Sequence, residues 1–116
     1  MKQVTGLAVA LLVLFASGCA TRGPQYMYWG NYQHTLYKVK KEPSDAAIKA
    51  HMAELQDIID KSGEKHLRVP PGVYAELGMY YEIQGDTARA AGYYRQESET
   101  YPESQQLMAR LISQLQ

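Results

Sequence analysis

Hydrophobic and polar positions recur with helical periodicity from Tyr28 almost to the end of the chain. Tyr28, Tyr32, Leu36 and Val39, with Trp29 beside them, predict a first helix near 28–41, weakened at its start by Gly30 and ended by Pro43. Ser44-Asp45 reads as the capped start of a second helix. Its stripe is Ile48, Met52, Leu55 and Ile59, widened by His51 and Ile58, and Gly63 is expected to close it. Residues 64–69 show no clear period, and Val69 is pushed towards extended backbone by the proline after it. Pro70-Pro71 then leads into a third helix, with a proline expected in its first turn. Tyr74, Leu77, Gly78 and Tyr81 fall at i, i+3, i+4 and i+7, one face of that helix. Gly85 is placed to end it in a left-handed conformation, and Asp86 or Thr87 to cap the next. In that fourth helix Ala90 and Tyr94 share a face, and Pro102 stops it. Leu107, Met108, Leu111, Ile112 and Leu115, opposed by Gln105, Gln106, Arg110, Ser113 and Gln114, predict a last, amphipathic helix.

Gly78 calls for a physical reason, because glycine inside a helix costs about 1 kcal/mol against alanine. A neighbouring helix that comes close, with Tyr94 as the ring filling the space, supplies one. The spacing Tyr74-x2-Leu77-Gly78-x2-Tyr81, followed by Ala90, Tyr94 and Pro102, resembles one tetratricopeptide (TPR) repeat, a helix–turn–helix unit of about 34 residues. Two positions depart from it: Tyr74 stands where the repeat prefers Trp, and Glu97 where it prefers a small apolar residue. A single repeat cannot bury its own hydrophobic face. The hairpin of residues 28–61 is therefore expected to cover one side of it and the last helix the other. The expected fold is all-α, a TPR-like helical hairpin stack of about five helices over 28–116, with its best repeat match at 71–104.

The N-terminus reads as an address. Met1-Lys2 is a short basic start, and Leu7 to Phe15 is an apolar run too short to span a bilayer. Ala16-Ser17-Gly18-Cys19 follows, and the whole resembles a bacterial lipoprotein signal over residues 1–18. That resemblance implies a diacylglycerol thioether on Cys19 and an acyl chain, such as palmitate, on its amine. Ala16 stands where such signals usually carry Leu, and the alternative is an ordinary secretory signal with a spare thiol. Two or more acyl chains anchor stably, so Cys19 is expected to tie the chain to a membrane through a tether at 19–27. Ala20, where inner-membrane lipoproteins typically carry Asp, implies sorting to the outer membrane.

Composition narrows the function classes. Of 116 residues, 46% are hydrophobic and 21% charged, which suits one small globular domain. Twelve basic and twelve acidic residues cancel, leaving no basic surplus of the kind nucleic-acid binding needs. Lys38, Lys40 and Lys41 are accounted for as the basic end of a helix. Ten tyrosines against one Phe and one Trp suit a thin core or a contact surface.

Catalytic chemistry is not apparent. The sole cysteine is the anchor, and the serines fall at caps or in polar turns. His51, Glu54 and Asp57 stand three apart, as half of a metal site would, but without a second ligand pair they read as a solvated face. Glu97 and Glu99 point to different faces, so no carboxylate pair is indicated and no cofactor is expected. On the third helix, Met79 and Ile83 lie four apart on a face not used by Tyr74, Leu77, Gly78 and Tyr81, beside Glu82. Met79, Glu82 and Ile83 are the candidate partner-binding residues, by analogy with TPR first helices that line a concave face. The competing possibility is that Met79 and Ile83 pack against the helix at 44–61.

The signal, the YWGNY segment, the PPGVYAELG segment and the YPESQQLMARL ending together resemble a family of small bacterial TPR-like lipoproteins of unknown function. Members are often encoded beside a CsgG-like lipoprotein. The resemblance implies an outer-membrane lipoprotein facing the periplasm, a protein-binding adaptor or accessory subunit of an envelope assembly. Its partners would be an envelope protein and, through the anchor, the membrane. The alternatives are a structural role in envelope integrity without a specific groove and, last, an enzyme acting on the cell wall.

Overall fold

Local capping chemistry sets most of the helix ends. In the computed structural model, which describes residues 26–115, five α-helices follow one another. They are α1 (Tyr32–Lys41), α2 (Asp45–Glu64), α3 (Val73–Ile83), α4 (Thr87–Thr100) and α5 (Gln105–Ser113), with a 3-10 turn at Pro102–Ser104 before α5. α1 starts later than its periodicity predicts. Gly30 takes φ +48° and turns the chain, so the Tyr32 N–H closes the turn on the Trp29 carbonyl at 3.0 Å. The Ser44 hydroxyl accepts from the Ala47 N–H at 3.1 Å and starts α2.

The expected stop at Gly63 is not used. α2 runs through Gly63 to Glu64, and His66 takes the left-handed conformation instead, at φ +54°. The N–H of His66 bonds to the Gly63 carbonyl and that of Leu67 to the Ser62 carbonyl, which closes the helix as a Schellman motif. α3 ends the same way on Gly85, at φ +83°, with Gly85 and Asp86 donating to Glu82 and Tyr81. The Asp86 carboxylate then accepts from the Arg89 N–H and opens α4. Both prolines of Pro70-Pro71 stay outside α3, contrary to expectation, because Gly72 is its N-cap. Pro102 follows the end of α4 and starts the 3-10 turn.

Burial joins these elements into one stack. Leu55 and Ile58 of α2 meet Val69, Val73 and Leu77 in one core cluster, while Ala90, Tyr94 and Met108 form a second between α4 and α5. Each fully buried side chain of this size contributes about 1.5–3 kcal/mol. The α1–α2 hairpin covers α3 on one side, and α5 covers α4 on the other, as the periodicity predicts. Met108, Leu111, Ile112 and Leu115 repeat the spacing of Tyr74, Leu77, Gly78 and Tyr81 one repeat length further on. At that step Ile112 stands in place of Gly78 and packs, half-buried, against the Ala90, Tyr94 and Met108 cluster. Among the described residues, no helix is long and apolar enough to cross a membrane.

Candidate functional site

Packing decides which part of α3 is left free. A Cβ on Gly78 would lie 2.9 Å from Cδ1 and Cε1 of Tyr94 and 3.2 Å from the Ala90 carbonyl oxygen. Leu77 and Gly78 are thus committed inward, as their spacing predicts. Tyr74 and Tyr81 are half-buried, and both stack on Tyr93, a ring whose part in the packing the helical spacing does not reveal. The Tyr81 and Tyr93 rings lie 5.6 Å apart and nearly parallel, the Arg89 guanidinium sits 5.2 Å over Tyr81, and the Tyr93 hydroxyl donates to Gln56 Oε1 of α2.

What remains on α3 is an exposed apolar pair. Met79 is 45% exposed and Ile83 73%, so neither is buried against α2. Glu82 behaves differently from its neighbours. Its Oε2 accepts from the Tyr94 hydroxyl at 2.5 Å, which ties the carboxylate to a core ring. Burial, then this hydrogen bond, pushes the Tyr94 phenol well above its ordinary pKa. Of the three candidate partner-binding residues, Met79 and Ile83 share an open surface, while Glu82 holds the ring beneath it.

A second polar cluster joins α1, α2 and α3. His51 is fully buried, so it does not share a solvated face with Glu54 and Asp57 as its spacing suggests. Its Nε2 lies 2.7 Å from Glu76 Oε1 and its Nδ1 2.7 Å from Thr35 Oγ1, while the Tyr32 hydroxyl donates to Glu76 Oε2 at 2.7 Å. Burial and that hydrogen bond push the Tyr32 phenol well up. Glu54 accepts from the Asn31 N–H at 2.7 Å, and Asp57 from the Tyr28 hydroxyl at 3.4 Å. The three residues of the half metal site therefore serve three separate contacts. Among the described residues, no group of three or more His, Cys, Asp or Glu could hold a metal ion. A hydroxyl–imidazole–carboxylate chain has the parts of a nucleophilic relay. Here the imidazole is packed between the Tyr32 and Tyr80 rings, and the Thr35 hydroxyl also reaches the Tyr32 carbonyl at 3.1 Å. The arrangement works as a latch between three helices.

A third group secures the loop before α3. Glu97 is only 4% exposed, and its Oε1 accepts from the Gly72 N–H at 2.8 Å. Its Oε2 and the buried Ser62 hydroxyl have no hydrogen-bond partner among the described residues. Ser62 thus lies in the core and not in the polar turn expected of it. Arg68 stacks 3.9 Å over the Tyr101 ring and donates to the Thr100 carbonyl, and the Tyr101 hydroxyl donates to the Val69 carbonyl at 2.6 Å. The end of α4 is thereby clamped to the start of α3. Cys19 lies outside the described residues.

A family model described as a domain of unknown function (DUF4810) matches residues 26–111. No curated protein and no solved structure matches the chain.

Proposed function

Because the chain belongs to the DUF4810 family of domains of unknown function, we propose a role for it from its own geometry: an outer-membrane lipoprotein whose helical stack serves as a periplasmic adaptor or accessory subunit of an envelope assembly. Cys19 is the anchor in this reading, supported by the signal-like run that ends at Gly18-Cys19 and by Ala20 after it. The likeness of α3 and α4 to a TPR hairpin supports a protein partner, and the resemblance to lipoproteins encoded beside a CsgG-like protein supports an envelope setting. No cofactor, small-molecule substrate or catalytic step forms part of the proposal.

The observation that carries the reading is the exposed pair Met79 and Ile83 on a helix whose other apolar face packs inward through Val73, Leu77 and Gly78. A methionine beside an aliphatic side chain makes an adaptable apolar contact. Met79→Ser with Ile83→Ser is expected to leave the melting temperature nearly unchanged, since exposed substitutions stay within about 0.5 kcal/mol. The same double variant is expected to abolish stoichiometric recovery of the partner from solubilised envelopes. Undiminished recovery by the folded variant would remove this surface from the reading and leave a structural envelope role.

A further inference from the structure

We propose that the outer side of the first hairpin, from Trp29 along α1 to Lys41, rests on an anionic phospholipid surface; this orientation rests on the lipid-anchored reading above, because the anchor supplies the proximity. On α1, Tyr32, Thr35, Leu36 and Val39 turn towards the rest of the fold and are half-buried. His34, Tyr37, Lys38 and Lys41 fall at i, i+3, i+4 and i+7 on the opposite side. Tyr37 is 59% exposed and Trp29 41%, and α1 carries no acidic residue. Two open hollows meet at His34. One, of about 470 Å³, runs from Trp29 to His34; the other, of about 560 Å³, lies between Tyr37, Lys38 and Lys41 and the first turns of α2. Ala46, Ala47 and Ala50 line the second hollow with apolar surface, and Glu42 is its one carboxylate.

Charge is unevenly spread for a chain of net zero. Among residues 26–50, Lys38, Lys40, Lys41 and Lys49 face only Glu42 and Asp45, whereas acidic residues outnumber basic ones from residue 51 onwards. The positive surplus lies along the last turns of α1, where an anionic surface is attracted, while Glu54 of α2, which accepts from the Asn31 N–H, offsets it at the start of the strip. Tryptophan and tyrosine beside lysine match the chemistry of the bilayer interface, where aromatic rings sit at headgroup depth and lysines pair with anionic lipid. The exposed rings continue through Tyr26, towards the segment that leads back to Cys19. That continuity favours a membrane over an acidic protein segment as the occupant.

Trp29, the only tryptophan in the chain, packs edge-on against Tyr32 with ring centroids 5.3 Å apart and stays 41% exposed, so it reports on the near end of the strip. The test uses the lipidated protein in vesicles of phosphatidylcholine with or without phosphatidylglycerol, with brominated acyl chains as the quencher. Trp29 emission is expected to be quenched and to be shielded from aqueous acrylamide only when phosphatidylglycerol is present. Both effects are expected to vanish in high salt and in Lys38→Glu with Lys41→Glu, whose circular dichroism stays that of the wild type. Unquenched, acrylamide-accessible Trp29 in protein that floats with the vesicles overturns the inference and leaves the anchor standing. Failure to float refutes the anchor and the inference with it. Shielding of Trp29 by soluble polyglutamate, and not by the vesicles, would assign the strip to an acidic protein segment and overturn the proposal.

Discussion

At Gly78 a single added carbon would stand 2.9 Å from two atoms of the Tyr94 ring. Two effects compete there. Alanine would recover about 1 kcal/mol of helix propensity, but overpacking typically costs about 1–3 kcal/mol. The ring cannot retreat easily, because Glu82 holds its hydroxyl. Overpacking wins, so Gly78→Ala is expected to lower unfolding free energy by about 1 kcal/mol in urea melts, and Gly78→Leu by more. In a Tyr94→Leu background the alanine change is expected to become neutral or stabilising, since the two sites are in contact; an unchanged penalty there would contradict the contact. This pairing is legible in the sequence, because a glycine held inside a helix at a fixed distance from a large ring signals two helices in close approach. Glu97 is legible only as an anomaly. Its partner is the N–H of Gly72, the cap of another helix, and nothing in the spacing of α4 names it.

Helix ends are readable where the capping chemistry is local: Ser44, Gly85-Asp86 and Pro102 all act where their residue type predicts. The end of α2 departs from its local signal because burial overrides it. Ile58 and Ser62 are buried, and carrying the helix past Gly63 keeps that face continuous with the core. The left-handed position then falls on His66, where a side chain costs about 1–2 kcal/mol. Glycine there would remove that strain at an entropic cost of about 0.5–1 kcal/mol. His66→Gly is therefore expected to raise stability by about 0.5–1 kcal/mol, read as a higher denaturant midpoint at constant slope; a lower midpoint would contradict the assigned cap. For His51 the stripe position is visible, but its partners Thr35 and Glu76 come from α1 and α3, which periodicity within α2 cannot reveal.

Across the whole molecule, tyrosine hydroxyls tie the helices together, Tyr32 to Glu76, Tyr93 to Gln56 and Tyr94 to Glu82. Burial holds all three phenols above their ordinary pKa of 10.0, most strongly Tyr32 and Tyr94. The unfolded chain ionises first, so this stability is intact below about pH 10 and is lost as pH rises further, by about 1.4 kcal/mol per pH unit for each phenol kept neutral. Urea midpoints measured from pH 9 upwards are expected to fall past about pH 10, with a shallower fall in Tyr94→Phe; parallel slopes in the two proteins would contradict the assignment. The stack itself is legible because its apolar stripes are long and regular, whereas the use of its free surface depends on a partner absent from the sequence. A photo-crosslinker placed at Ile83 in intact cells puts the adaptor role to its hardest test, with Glu99, exposed on α4, as the control position. One discrete protein adduct is expected from position 83, none from position 99, and loss of the adduct in Cys19→Ser. No adduct at 83, or the same diffuse products from both positions, would contradict the adaptor role.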